Sequence, residues 1–149
     1  MKYFLSSFLI SMTIAVMQSC ASKTEYSATR DMATIDSLML AQQAAWNKAD
    51  IPAFMEYYWK SDSLKFTGRR GITYGWNATL SNYQKSYSTP EDMGKLEFSN
   101  KAHESIDDKN ALVIGQWTLF RVADTLGGYY TLHWKKIGEQ WLIVSDHTS

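Results

Sequence analysis

The residues best suited to chemistry stand at the end of the chain, where Asp146-His147-Thr148-Ser149 bring a carboxylate, an imidazole and two hydroxyls to the close of an apolar run. A buried carboxyl can serve as acid or base because desolvation lifts its pKa toward neutrality, and an imidazole titrates there unaided. Adjacent residues on a strand face opposite ways, so only one of Asp146 and His147 can enter a pocket. Parity with Leu142 and Val144 points Asp146 and Thr148 inward and leaves His147, like His133, for the other face. A hydrogen-bonded strand end or an oligomer contact would use the same residues, so proton transfer is one of three readings.

The remaining charged residues suggest less. His103 sits beside Glu104 near a turn and reads as solvated, and Arg69-Arg70 reads as a solvated turn rather than an anion site. The three histidines show neither His-x-His nor His-Glu-x-x-His spacing, so no metal is expected. There is no phosphate loop, no Rossmann glycine pattern and no nucleophile elbow, and no cofactor is expected.

These residues need a frame. Tyr129 to Ser149 forms two aromatic and β-branched segments around Gly138-Glu139, a hairpin pattern. Both faces of this hairpin carry large side chains, which predicts partners on both surfaces. Upstream, Met32, Ile35, Leu38, Met39, Ala45, Trp46 and Ala49 make a helical stripe over about residues 29–49. Asp50 and Pro52 open a second helix through Phe54, Tyr57 and Tyr58. A short strand over 64–67, a turn at Gly68-Arg69-Arg70-Gly71 and a return over 72–74 lead to a third helix through Leu80, Tyr83 and Tyr87. After Pro90 no helical period remains, and strands are expected at 94–106, 111–123, 128–137 and 141–148. Helices first and a meander last make an α+β domain with its helices on one sheet face.

With 149 residues, 45% of them hydrophobic, the chain can bury one sizeable core. Fifteen basic and fifteen acidic residues, without a run of either sign, argue against a nucleic-acid surface. Residues 1–20 have a charged start, a short apolar stretch and small residues, the layout of a secretory signal. Met17-Gln18-Ser19-Cys20 resembles a lipobox, which would lipidate Cys20 and anchor the protein in a bacterial cell envelope. Cleavage after Ala21 would instead release it to the periplasm or beyond. Residues 21–28 are polar enough for a tether, and 29–149 make the domain.

The order of elements resembles the NTF2-like superfamily, and within it the SnoaL-like and DUF4440 group. The resemblance rests on Trp46-Asn47-Lys48-Ala49-Asp50, the aromatic pair Tyr57-Tyr58, Gly75 before the third helix, Gly115-Gln116-Trp117, and the ending from Trp141 to Ser149. It implies a cone, in which a curved antiparallel β-sheet wraps a long N-terminal helix, with two further helices and a cavity between. It also implies that Tyr83 falls where steroid isomerases keep a pocket tyrosine. Those enzymes carry a general base on the first strand, where this chain has Phe66 or Thr67, and an oxyanion-hole acid on the strand that here carries Leu132. Both acids are absent, so that mechanism is not supported.

The expected cavity wall is Trp46, Tyr58, Phe66, Tyr83, Trp134, Val144, Asp146 and Thr148, with Asp146, Tyr83 and His147 as the catalytic candidates. Three functions follow. The first is an exported domain holding a small apolar or aromatic molecule. The second is an isomerase, cyclase or dehydratase using a pocket acid-base group. The third is a non-catalytic homodimer joined by the outer sheet face through Trp117, His133, Trp141 and Ile143. Membrane contact is expected only through an N-terminal lipid.

Overall fold

The computed structural model describes residues 27–149. The signal segment, Cys20 and most of the tether lie outside the described residues. Helix α1, Ala28–Trp46, is opened by the Ser27 hydroxyl accepting from the Arg30 amide. Its buried side is Ile35, Met39, Gln42 and Trp46, the spacing that keeps one face toward a core. The sequence after it is punctuation. Trp46 donates its indole N–H to the Met93 carbonyl, Ala49 takes a left-handed conformation, and Asp50 caps the next helix.

Helix α2, Ile51–Met55, is shorter than the sequence pattern suggests. It ends before Tyr57, and Tyr58 instead forms a lone bridge to Ile143. Strands β1, Lys65–Gly68, and β2, Gly71–Tyr74, form a hairpin, followed by helix α3, Trp76–Ser86. A one-turn helix, α4, Pro90–Met93, follows where only strand was expected; the Thr89 and Asp92 side chains each bond the other's backbone amide and set it in place. Strands β3, Lys95–Ser105, β4, Asn110–Phe120, β5, Thr125–Ile137, and β6, Gln140–Thr148, complete the chain.

The six strands lie in the order β2-β1-β6-β5-β4-β3. All neighbours are antiparallel except β1 and β6, which run parallel and let the short first hairpin extend the meander. The register shifts in β3 between Asn100 and Ala102, and again where β5 meets β6; such bulges bend a sheet. Helix α1 lies against β3 at the sheet edge. Asn47 bonds both the Leu96 amide and its carbonyl, and Gln43 accepts from the Phe98 amide, so helix side chains satisfy edge backbone groups.

The second irregularity decides which way the last strand faces. His133 pairs with Ser145 but Trp134 pairs with Ile143, leaving Val144 out of step. Trp141 and Ile143 therefore face the core together with Asp146, whereas simple alternation groups them with Ser145. Val144 turns outward, beside His133 and Ser145, and is not a cavity residue. Trp141 and Ile143, expected on the outer face, are core residues instead. Trp134, expected on the cavity wall, is 0% exposed within the core and does not reach the cavity. The outer surface of the hairpin is bare in the single chain, with Tyr129 61% exposed.

Candidate functional site

Between the sheet's inner face and helices α1 to α3 lies a cavity of about 520 Å³. That volume falls within the range of small-molecule pockets, ~300–1,000 Å³. Ring contacts build its wall. Trp46 meets Phe54 and Tyr87 edge-on at centroid distances of 5.1 and 4.8 Å, and Tyr83 meets Phe54 at 5.4 Å and Phe66 at 5.7 Å. Helix α1 contributes Trp46, the residues around α2 contribute Phe54 and Tyr58, β1 contributes Phe66 and α3 contributes Tyr83. The aromatic clusters that the sequence displays as separate segments thus meet in one place.

Asp146 stands among these rings. The β1–β6 and β6–β5 registers place it in a row Phe66–Asp146–Leu132, three inward residues on adjacent strands. Asp146 is 3% exposed. Its Oδ2 accepts from the Tyr58 hydroxyl at 2.7 Å, and its Oδ1 accepts from the Thr148 hydroxyl. Burial pushes its carboxyl up to about 6, while those two hydrogen bonds and the nearby His147 pull in the opposite direction. Tyr58 and Tyr83 are both held well above the usual phenol range, first by burial and then by the charge of Asp146. Their hydroxyls also interact, so Tyr83 reaches the carboxylate through Tyr58. A carboxyl poised near neutrality, a string of hydroxyls and an apolar enclosure can orient an oxygen-bearing ring, and can pass a proton to it or from it.

The expected wall residues Trp46, Tyr58, Phe66, Tyr83, Asp146 and Thr148 all line the cavity. His147 does not: it is exposed on the opposite face, paired with Thr131 and Thr67. His133 is also outside, held by Asn110 at 3.0 Å, and burial draws its pKa down. His103, expected to be solvated, is tied at 2.7 Å to Asp36 of α1, which also accepts from Asn100; Asn100 in turn accepts from the Tyr130 hydroxyl. Among the described residues no group of three His, Cys, Asp or Glu could hold a metal.

Several lining residues carry little signal in the sequence. Gln42 is 1% exposed and lines the cavity; its amide donates to the Phe54 carbonyl at 3.3 Å. A polar residue in the buried stripe of α1 is the signal that marks it. Phe98 and Trp117 come to the wall from β3 and β4, and Trp117 lies on the inner face rather than the outer one expected of it. Arg69 and Arg70 also reach the cavity, from the turn between β1 and β2.

No family model matches the chain, and no curated protein does. Solved structures do. An NTF-2-like protein of unknown function from Shewanella oneidensis is 35% identical, covering 80% of this chain and 98% of that one, with a TM-score of 0.78. A nuclear transport factor 2 (NTF2-like) superfamily protein from Salmonella enterica is 20% identical over 83% and 92% of the two chains, with a TM-score of 0.67. A ketosteroid isomerase-like protein from Erwinia carotovora is also 20% identical, over 80% and 95%, at 0.63. The last two share the fold, and the first shares enough sequence as well to fix the family. The chain belongs to the NTF2-like family.

Proposed function

We propose that this chain binds a small, ring-bearing apolar molecule in its cone and holds an oxygen of that molecule against Asp146 and Tyr58. The observation that carries this reading is the buried carboxyl, with its Tyr58 and Thr148 donors, inside a cavity walled mainly by aromatic and leucine side chains. A buried charge that only filled space would be a poor choice, since a hydrophobic residue would cost less there. The test is calorimetric titration of the chain with ring ketones and phenols of graded size. Micromolar binding, weakened at least tenfold in Tyr58→Phe and Asp146→Asn, is the expected result. Binding by no member, or binding indifferent to both changes, refutes it.

A second reading is proton transfer of the isomerase, cyclase or dehydratase kind. It is favoured by the carboxyl held at about 6. The isomerase pattern puts its acids on the strands that here carry Phe66 and Leu132. This chain has a single acid on the strand between them, so Asp146 would act alone, with Tyr58 and Tyr83 polarising the substrate. Turnover of an enolisable ring ketone, lost in Asp146→Asn while binding persists, distinguishes this reading from binding alone.

Three further proposals rest on sequence. The chain falls in the SnoaL-like and DUF4440 group, supported by its motif order. It is exported to the cell envelope and lipidated at Cys20, supported by the order of charged, apolar and small residues over 1–20; incorporation of a palmitate analogue, abolished in Cys20→Ala, tests this. It pairs with a second copy through the outer sheet face, now with Ile72, Ile114, Tyr129 and His147 in place of Trp117, Trp141 and Ile143.

A further inference from the structure

The cavity carries a charge polarity that its apolar walls do not require. Among the described lining residues Asp146 is the one anionic side chain, and it is buried. Arg69 and Arg70 are the only cationic ones, and they are exposed at the mouth. Neither has an ion-pair partner among the described residues, as is true of most of the chain's described cations; their place at the cavity mouth sets these two apart.

The turn itself does not ask for arginine. Gly68 pairs with Gly71, so Arg69 and Arg70 are the two loop residues. Gly71 takes the positive φ that the reversal needs, at 105°, and both arginines keep ordinary negative φ. Turn geometry therefore rests on Gly71 and leaves the two side chains free to vary. A pair of unpaired guanidiniums beside an apolar cavity is a fork suited to a carboxylate.

We infer that the occupant of the cone is an amphipathic acid, an apolar ring body ending in a carboxylate that Arg69 and Arg70 hold at the mouth. This rests on the ligand-binding reading above. Asp146 fixes the direction of entry. An anionic end driven inward would confront a buried carboxylate, whereas a hydroxyl or carbonyl there meets Tyr58, Tyr83 and Asp146. The aromatic interior then takes the body, and the acid end stays half in water, where a charged group loses least hydration.

The experiment titrates the full chain at pH 7.5 with two matched pairs that carry a phenol at the far end, 6-hydroxy-2-naphthoic acid against its amide and 4'-hydroxybiphenyl-4-carboxylic acid against its amide. Each acid is expected to bind about tenfold more tightly than its amide, as a charge-assisted contact at a wet rim allows. Raising the salt concentration should narrow the gap. Arg69→Ala with Arg70→Ala should abolish the preference, bringing acid affinity down to that of the amide, and the double Lys variant should keep part of it. Both arginines are exposed turn residues, so an unchanged melting temperature will show that the variants fold. Equal affinity of acid and amide for the parent would overturn the arginine clamp and leave the binding pocket standing. Failure of all four probes to bind would overturn the pocket reading and the clamp with it.

Discussion

Asp146 makes the cavity costly. Held at about 6 in the folded chain, the carboxyl binds its proton more tightly than in the unfolded chain, where it titrates near 3.8. The stabilisation from this tighter binding is complete below pH ~4 and is lost as the pH rises through ~6, a swing of ~3 kcal/mol. Asp146→Asn cannot titrate. The difference in unfolding free energy between variant and parent should therefore grow in the variant's favour from pH 4 to pH 7, by ~2–3 kcal/mol in urea melts. A constant difference across that range would show that the carboxyl titrates as it does in water. Tyr58 supplies the opposing influence. Tyr58→Phe removes a donor to the carboxylate, so the Asp146 pKa should move up, visible in the pH titration of its carboxyl carbon by NMR. A downward move would mean that water had entered and replaced the phenol. The candidate acid itself was legible in the sequence as a carboxylate closing an apolar strand. Thr148 was legible beside it by parity, but the bond from Tyr58 was not, because Tyr58 lies 88 positions away and reaches it only through the bridge to Ile143.

At the scale of elements, periodic stripes were legible and irregularities were not. The long first helix and the four-strand meander show their periods over enough residues to be read. The bulge that ejects Val144 leaves no trace in residue type, since Trp141, Leu142, Ile143 and Val144 are all apolar. Alternation therefore assigned Asp146 the right face on the wrong neighbours. Helix α4 has only four residues, too few for a period, and its one signature is the Thr89–Asp92 pair. The motif residues of the sequence have physical jobs once the elements are assembled. Gly115 is the clearest: a Cβ there would overlap the Tyr130 hydroxyl. That hydroxyl donates to Asn100, and its ring borders the cavity. Gly115→Ala must therefore push Tyr130 off its site, losing a hydrogen bond and straining a central strand. A loss of ~1–3 kcal/mol is expected in denaturant melts. Tyr130→Phe combined with it should not restore stability, because the Cβ would also overlap the ring's Cζ.

The whole molecule presents two different faces of one sheet. The inner face closes the cone; the outer face runs uncovered from edge to edge. One outer row crosses every strand, Ala102–Ile114–Thr131–His147–Thr67–Ile72. It holds β-branched and small side chains and one histidine, His147, with no acid and no lysine or arginine. Ile114 is 42% exposed and Ile72 54%, and Tyr129 stands in the row beside it. This exposed, acid-free strip supports the proposed pairing, in which a two-fold would set the strip against itself. Of the four residues expected on this face, His133 lies there, while the bulge turns Trp141 and Ile143 inside and Trp117 belongs to the inner face of β4. The chain at micromolar concentration should thus run at twice its 17.1 kDa by light scattering. Ile114→Glu puts a charge in the centre of the strip, and in the paired state two such charges face each other without partners. It should give the single-chain mass at the same concentration, while the cavity ligand still binds, because the substituted side chain lies on the far side of the sheet. A single-chain mass for the parent across the accessible concentrations would remove the outer face from the account and leave the cone to act alone.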